Sequence, residues 1–146
     1  MDHGKPPKNG WAPLAPEVLV SDIATSLAFW TEVLGFSVAY ARPAEKFAYL
    51  ERAEGAQIML CERGGKWETG ALEAPFGRGV MFQVRTDDPA SVLAALERKG
   101  LRPYAGPREV WRNVGDRQLG MREVFVQDPD GYLIMMSSAI GERPLS

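Results

Sequence analysis

One order of secondary-structure signals occurs twice along the chain, and this repeat constrains the fold more than any single motif. In each half, a short run of strand-forming residues precedes a helix start, at Asp22 in the first half and at Asp88 in the second. Closing glycines follow at Gly35 and Gly100, so the offset between the halves is about 65 residues. The repeat predicts two similar modules.

The first half gives the clearer pattern. Residues 17–20 are predicted to form a buried strand, and Ser21 and Asp22 supply a helix start. The apolar residues that follow recur at spacings of three and four, so they form one stripe that should pack on a sheet. They are Ile23, Leu27, Trp30 and Leu34. Three further strands are predicted, at residues 36–41, 47–52 and 57–62.

The second half ends in the strongest hairpin signal of the chain, at residues 121–138. Two strand-forming runs flank Asp128-Pro129-Asp130-Gly131, in which Pro129 presets the turn and Gly131 accepts a positive φ. Before it we predict a strand at 80–85, a helix from Asp88, and further strands at 102–104 and 109–113. Each half then reads as strand, helix and three strands.

The predicted fold class is α+β, with two βαβββ modules forming a curved mixed sheet around a concave cavity. The modules are residues 15–62 and 79–138. Residues 63–78 are rich in Gly, Glu and Pro and are predicted to be a linker. Residues 1–14 are predicted to be a flexible N-terminal arm and residues 139–146 a C-terminal tail.

Composition excludes several classes of function. The 146 residues carry a net charge of -2, which argues against a nucleic-acid partner. No apolar run reaches the roughly 18 residues of a membrane span, and the proline-rich arm has no signal-peptide pattern. The single cysteine, Cys61, fits a reducing compartment. We therefore expect a cytoplasmic protein without a membrane or nucleic-acid partner.

Two stretches resemble a known group of proteins. The run at residues 21–36, S-D-I-A-T-S-L-A-F-W-T-E-V-L-G-F, resembles the first-half signature of the vicinal oxygen chelate superfamily. The Arg122-Glu123 pair and the turn at residues 128–131 resemble its second-half ending. This superfamily of glyoxalases, bleomycin-resistance proteins and dioxygenases includes isomerases, dioxygenases, thiol transferases and binding proteins, so the resemblance favours a fold more than one function.

The resemblance also bears on metal binding. Metal-dependent members place His, Gln or Glu at four inward strand positions, and these align here with Ala15, Cys61, Gly79 and Met135. A divalent cation needs several nitrogen or oxygen donors, and the only histidine is His3 in the arm. We therefore predict no metal and no cofactor.

The residue pattern contains no convincing catalytic set. A Cys–His pair would require Cys61 to meet His3, and nothing in the sequence brings the arm there. Glu123 is the best candidate for a general acid or base, although an ordinary cross-strand ion pair is the favoured interpretation of this residue. Cys61 is better interpreted as a small buried apolar residue than as a reactive thiol.

What remains is a cavity wall that is apolar, aromatic and rich in sulfur. Such a wall suits flat, cationic or amphipathic ligands through stacking and cation–π contacts. For Phe47, Tyr49 and Trp111, plain core packing remains an equal alternative. The predicted ligand-binding residues are Tyr40, Phe47, Tyr49, Met59, Cys61, Glu109, Trp111, Arg122 and Met135.

The metal-free pattern most resembles the bleomycin-resistance branch, whose members are homodimers that sequester a cationic antibiotic without modifying it. Tyr40 and Phe47 correspond to aromatic contacts of that branch. Ala39 replaces its acid, and Gly120 replaces a tryptophan for which Trp111 on the neighbouring strand is a candidate substitute. We predict a homodimeric, metal-free protein that binds an aromatic or cationic small molecule. The alternative is a lyase, isomerase or dioxygenase with an atypical site.

Overall fold

The computed structural model describes residues 3–145 and divides the chain into two compact units. The first unit contains the chain up to Arg78 together with Asp128–Gly131, and the second contains Gly79–Gln127 and the chain from Tyr132 onwards. Met1, Asp2 and Ser146, which belong to the predicted arm and tail, lie outside the described residues.

The first unit is a four-stranded mixed sheet with one helix. Its elements are β1 (Glu17–Val20), α1 (Ile23–Glu32), β2 (Ser37–Arg42), β3 (Phe47–Glu51) and β4 (Gln57–Glu62), with a 3-10 turn at Pro43–Glu45. The strand order is β1-β4-β3-β2, in which β1 and β4 are parallel and the other pairs antiparallel. Asp22 caps α1, because its carboxylate accepts a hydrogen bond of 3.0 Å from the Thr25 amide.

The second unit repeats this topology. Its elements are β5 (Met81–Arg85), α2 (Pro89–Arg98), β6 (Ala105–Val114), β7 (Arg117–Gln127) and β8 (Leu133–Pro144). The strand order is β5-β8-β7-β6, and again only the outer pair β5–β8 is parallel. The two mixed sheets and two helices confirm the predicted α+β class and the order of elements in each half.

One face of each sheet packs against the helix of its own unit. In the first sheet, Val20, Leu50 and Leu60 are fully buried and form a core with Trp30 and Leu34 from the α1 segment. In the second sheet, Val84, Val124, Ile134 and Met136 are buried, as are Val92 and Leu96 of α2. The opposite faces are therefore the ones that ligands can reach.

The last three strands are longer than the sequence predicts. Residues 102–104 form no strand, whereas β6 extends to Val114 and turns at Gly115, which has φ of 61°. Strand β8 continues to Pro144, through the residues predicted as a tail. Gly120, Gly141 and Pro144 are poor strand formers, but each lies in register with a residue on the neighbouring strand. Ladder pairing overrides their low intrinsic propensity.

The turn between β7 and β8 belongs to the first unit, where Trp30 of α1 and Ser21 just before α1 form hydrogen bonds with it. Trp30 Nε1 donates a hydrogen bond of 3.1 Å to Asp128, and the Ser21 amide donates one of 3.0 Å to Asp130. Gly131 has φ of 95°, and a Cβ at this position would lie 2.5 Å from the Pro75 side chain. The predicted turn is confirmed, and only glycine fits its last position.

Neither α1 nor α2, the two α-helices of residues 3–145, is long and apolar enough to cross a membrane.

Replacing Trp30 by Ala should lower the free energy of unfolding by about 3–5 kcal/mol, because the change removes a fully buried ring and leaves a cavity. It also removes the hydrogen-bond donor to the buried Asp128. Trp67, which is 77% exposed, is the matched control, and Trp67→Ala should cost about 0.5 kcal/mol or less. Urea unfolding followed by circular dichroism measures both; equal losses would contradict this description of the core.

Candidate functional site

Five of the nine predicted ligand-binding residues share one face of the first sheet. Phe47 lies opposite Cys61 and Tyr49 opposite Met59 in the β3–β4 ladder, and Tyr40 pairs with Tyr49 from β2. Directly paired residues point to the same face of a sheet. This face lies opposite to the one that packs against α1. The structure therefore brings these five residues together on one face of the first sheet.

The N-terminal arm covers the tyrosine end of this face. The rings of Tyr40 and Tyr49 stack with centroids 5.1 Å apart, and Trp11 meets both rings edge-on at 5.8 and 5.3 Å. The Ala12 amide donates a hydrogen bond of 2.9 Å to Gln57, which also accepts from the Tyr49 hydroxyl. Burial raises the pKa of Tyr49. These tyrosines therefore form an aromatic cluster with Trp11 of the arm.

The arm also pairs with the outer edge of β2. The Lys5 amide donates a hydrogen bond of 3.0 Å to the Ala39 carbonyl, and the Ala41 amide donates one of 2.8 Å to the His3 carbonyl. The Lys8 amide donates to Glu51 at 3.0 Å. The described part of the predicted flexible arm thus makes an ordered set of contacts with the first sheet.

Beyond the tyrosines the same face opens into a hollow of about 390 Å³, which we call the first hollow. Leu19, Phe47 and Cys61 supply apolar surface, and Trp67 contributes a ring that is 77% exposed. The remaining lining residues are Glu17, Arg42, Glu45, Glu62, Gly64 and Lys66. Trp67 and Lys66 come from the segment predicted to be a linker, so the sequence did not assign them to a site.

Most charges around the first hollow are paired. Arg42 pairs with Glu45, and its guanidinium carbon lies 3.9 Å from the centre of the Phe47 ring. Glu62 accepts a hydrogen bond of 2.9 Å from Lys46, and this bond is the main cause that lowers the pKa of Glu62. Glu17 and Lys66 have no ion-pair partner among residues 3–145. The hollow therefore offers one carboxylate and one ammonium group to a ligand.

Cys61 lies in the first hollow as a half-buried free thiol. Burial is the main cause that raises its pKa, and the nearby Glu17 raises it further. A thiol with a raised pKa is protonated at neutral pH and is a poor nucleophile. The structure thus supports the apolar interpretation of this residue.

On the second sheet, Met135 lines a separate hollow of about 240 Å³, which we call the second hollow. Its other lining residues are Gln83, Arg85, Arg112, Val114, Leu119, Met121, Glu123 and Ser137. At its centre the fully buried Glu123 accepts hydrogen bonds from both terminal nitrogens of Arg112 and, at 3.1 Å, from Arg108 Nε. The cross-strand ion pair predicted for Glu123 is confirmed.

This pairing decides the protonation of Glu123. The hydrogen bond from Arg112 is the largest cause that holds the pKa of this carboxyl below its usual range, and it outweighs the opposing effect of burial. In turn, Glu123 raises the pKa of Arg112. A carboxylate that is ionised and already bonded to two guanidinium groups is poorly suited to act as a general acid.

Three predicted residues lie on the other face of the second sheet. Glu109 pairs with Arg122 and Trp111 with Gly120, whereas Glu123 and Met135 belong to the alternate set of side chains. Glu109, Trp111 and Arg122 therefore do not share a wall with Met135. The physical reason is the β6–β7 register, which the sequence alone did not fix.

Trp111 packs against Gly120. A Cβ on Gly120 would lie 2.7 Å from Trp111 Cη2, so the indole occupies the space of a side chain at position 120. The Arg143 guanidinium covers the indole at 4.2 Å from the ring centre. This geometry supports the hypothesis that Trp111 replaces a tryptophan at position 120.

The aligned metal positions do not provide a donor set. Ala15 and Gly79 have no ligand atom in their side chains, and Cys61 and Met135 offer only sulfur. No three side chains of His, Cys, Asp or Glu gather at metal-binding distance within residues 3–145. These residues do not fit a divalent metal held at the positions that the resemblance implies.

Comparison with known proteins gives consistent relatives. A family model described as Glyoxalase/Bleomycin resistance protein/Dioxygenase superfamily matches residues 13–136. "Virulence protein STM3117" of Salmonella typhimurium is 28% identical over 122 residues, covering 83% of this chain and 79% of that protein. Its crystal structure aligns with a TM-score of 0.64 at 25% identity, covering 89% and 98% of the two chains.

A second relative carries an enzyme name. A "Probable lactoylglutathione lyase" of Vibrio parahaemolyticus is 28% identical over 123 residues, covering 79% of this chain and 81% of that protein. A structure from the mobile metagenome of V. Pseudocholerae aligns with a TM-score of 0.62 at 25% identity, covering 88% and 95%. The names of these relatives differ, so the similarity identifies a fold and a family and leaves the ligand open.

Replacing Arg112 by Met should lower the free energy of unfolding at pH 7 by about 1–3 kcal/mol, because it leaves part of the buried Glu123 carboxylate unbonded. In the parent protein the folded pKa lies below the unfolded value of about 4.3, so the pairing stabilises the fold above that pH. This contribution disappears as the pH falls through the folded pKa. The difference between variant and parent should therefore narrow in acid, as urea unfolding from pH 7 to pH 3 measures.

The control is Arg117→Met. Arg117 forms a pair with Glu142 in which both side chains are about half exposed, so its loss should change stability by about 0.5 kcal/mol or less at every pH. If Arg112→Met lowers the free energy of unfolding by the same amount at every pH, the role assigned to Glu123 is wrong.

Proposed function

Since the chain belongs to the glyoxalase/bleomycin resistance protein/dioxygenase superfamily, we propose that it binds an aromatic small molecule bearing an amino group in the first hollow. The proposed activity is sequestration without chemical change, as the bleomycin-resistance resemblance implies. The observation that carries the proposal is that one hollow is lined by the exposed Trp67 ring, by the unpaired Glu17 carboxylate and by apolar side chains.

The conformation of Trp67 supports a role in binding. Its φ is 63°, a region that non-glycine residues rarely adopt, and its side chain gains little burial in return. Backbone strain that is not offset by packing is often found at functional sites. An exposed indole that lines the same hollow as Leu19 and Phe47 is a suitable surface on which a flat ligand can stack.

The charges favour an amine on the ligand. Glu17 lines the first hollow without an ion-pair partner among residues 3–145, so it is available to a ligand cation. Indole rings also attract cations through their π face, and the contribution is about 0.5–2 kcal/mol. Lys66 also lines the first hollow and can pair with a carboxylate, so an aromatic amino acid also fits this arrangement of charges.

The chemistry of the hollow favours binding over turnover. The Cys61 thiol has a raised pKa, and none of the residues that line the hollow is a histidine that could serve as its base. An enzyme of the same scaffold remains the alternative. Conversion of the ligand during the binding assay would favour that alternative.

The binding test uses tryptamine and bleomycin, with indole-3-acetate as the probe that carries the opposite charge. Tryptamine should bind to the parent protein in isothermal titration calorimetry, and Trp67→Ala should weaken it by about fivefold or more, because stacking of a flat ring on an aromatic side chain contributes about 1–3 kcal/mol. Tyr104→Ala, which removes another exposed aromatic ring, should bind as the parent does.

Glu17→Gln tests the charge in the same titrations. The substitution should weaken the binding of tryptamine, and it should leave the affinity for indole-3-acetate unchanged or raise it. The loss of affinity for tryptamine should become smaller with added salt. If neither amine binds, or if Trp67→Ala and Tyr104→Ala behave alike, the proposal fails.

We also propose that the protein is a homodimer, as the family resemblance implies. Each sheet has two edge strands, and β6 presents a ten-residue edge. Long edges in stable proteins are usually covered or paired. Sedimentation equilibrium at micromolar concentration should give twice the mass of the chain, and a monomer at all concentrations would disprove the dimer.

A further inference from the structure

The second hollow carries an excess of positive charge that the proposed function does not use. Arg85 and Arg112 line it, and Arg108 joins Arg112 on the Glu123 carboxylate. Together these residues bring three guanidinium groups and one carboxylate, and the other lining side chains are neutral. A surplus of positive charge beside a partly apolar hollow attracts anions.

We propose that the second hollow binds the anionic oxygen group of a small organic ligand, a carboxylate, phosphonate or phosphate, between Arg85 and Arg112. The two hollows share no lining residue, and this one prefers the opposite charge. The proposal therefore does not depend on what the first hollow binds.

Arg85 is the available cation of this site. It is an exposed residue at the end of β5, and its Nη1 lies 3.8 Å from the Met121 sulfur. It has no carboxylate partner among residues 3–145. A thioether is only a weak acceptor, so nearly all the hydrogen-bonding capacity of this guanidinium remains for a ligand.

Arg112 is the positioned cation. Glu123 is fully buried and accepts one hydrogen bond from each terminal nitrogen of Arg112, so the planar guanidinium has a fixed orientation at the hollow. An arginine carries five N–H donors, and this pairing uses two of them. Fixing the arginine before the ligand arrives lowers the entropy cost of binding. Glu123 is thus a positioning residue for Arg112.

Two neutral polar groups complete the site. Ser137 lies in one row of the sheet between Arg85 on β5 and Glu123 on β7, and Gln83 occupies the adjacent row beside Met135. Neither side chain has a hydrogen-bond partner among residues 3–145, and no fully buried polar side-chain atom is left unpaired there. The Ser137 hydroxyl is therefore open to the hollow and can donate to an oxyanion.

The remaining lining defines the rest of the ligand. Val114, Leu119, Met121 and Met135 supply an apolar surface beside the arginines. A bare inorganic anion would leave this surface exposed to water, whereas an organic anion covers it. The favoured class is therefore a small organic anion with an apolar body.

Methionine methyl NMR tests the site at the residues that line it. The chain has six methionines, of which Met121 and Met135 line the second hollow and Met59 lies on the first sheet. Phenylphosphonate and benzoate are titrated into methyl-labelled protein, with benzylamine and benzamide as cationic and neutral probes of similar shape. Leucine substitutions at positions 121 and 135 assign the two signals.

The anions should shift the Met121 and Met135 signals saturably and leave that of Met59 unchanged. Arg85→Gln should weaken this binding at least tenfold, as expected when a charged hydrogen-bond donor is lost. Arg98→Gln, which removes an exposed arginine at the end of α2, should bind as the parent does. Stronger binding of phenylphosphonate than of benzoate would assign a phosphonate or phosphate ligand, and the reverse order a carboxylate.

Three results would overturn the proposal: benzylamine binding as tightly as the anions, shifts that do not saturate, or equal affinity of Arg85→Gln and the parent. The salt dependence of binding to the parent is a further measurement that needs no variant. Affinity for the anions should fall with added sodium chloride, and an affinity that does not change with salt would also overturn the proposal.

Discussion

The buried carboxylates of Asp128 and Asp130 impose the condition on which the first unit depends. A carboxylate inside a protein carries a burial penalty of several kcal/mol, by rough estimate, unless hydrogen bonds replace its water. Trp30 supplies one such bond, and Ser21 supplies bonds to Asp130 from its amide and its hydroxyl. The two stretches that carry the family resemblance are therefore physical partners, since one contains the donors and the other the acceptors.

The order of elements could be predicted because its signals are local. An aspartate that caps a helix, an apolar stripe and a Pro-Asp-Gly turn act within a few residues. The outer end of β8 could not, because Gly141 and Pro144 are poor strand formers and their partners Gly120 and Arg117 lie far back along the chain. The faces on which Glu109, Trp111 and Arg122 lie could not be predicted either, because a register shift between Ala105 and Arg108 and the turn at Gly115 set the pairing, and a slip of one residue exchanges the faces.

The residues of the candidate site also fall into two groups, those that local sequence patterns could predict and those that they could not. Strand alternation predicted that Met59 accompanies Cys61 and that Tyr49 accompanies Phe47, and the β3–β4 ladder places these four residues on one face because a short loop sets its register. Trp11 and Trp67 come from segments without any period, so no pattern could place them near that face. Arg85 and Arg112 were missed because an arginine on an exposed strand is unremarkable until its neighbours are known. Their significance lies in the balance of charge across several strands.

The contact between Trp111 and Gly120 has a consequence for how this sequence can change over time. The two positions face each other across β6 and β7, and only one of them has room for a large side chain. A mutation that gives position 120 a side chain requires Trp111 to be replaced by a smaller residue or to move, and it requires the Ile140 side chain, 2.8 Å from the added Cβ, to move as well. The aromatic ring can therefore move between the strands only through an intermediate that lacks it or through a simultaneous double change. Among descendants of this chain, the two positions should vary as a pair.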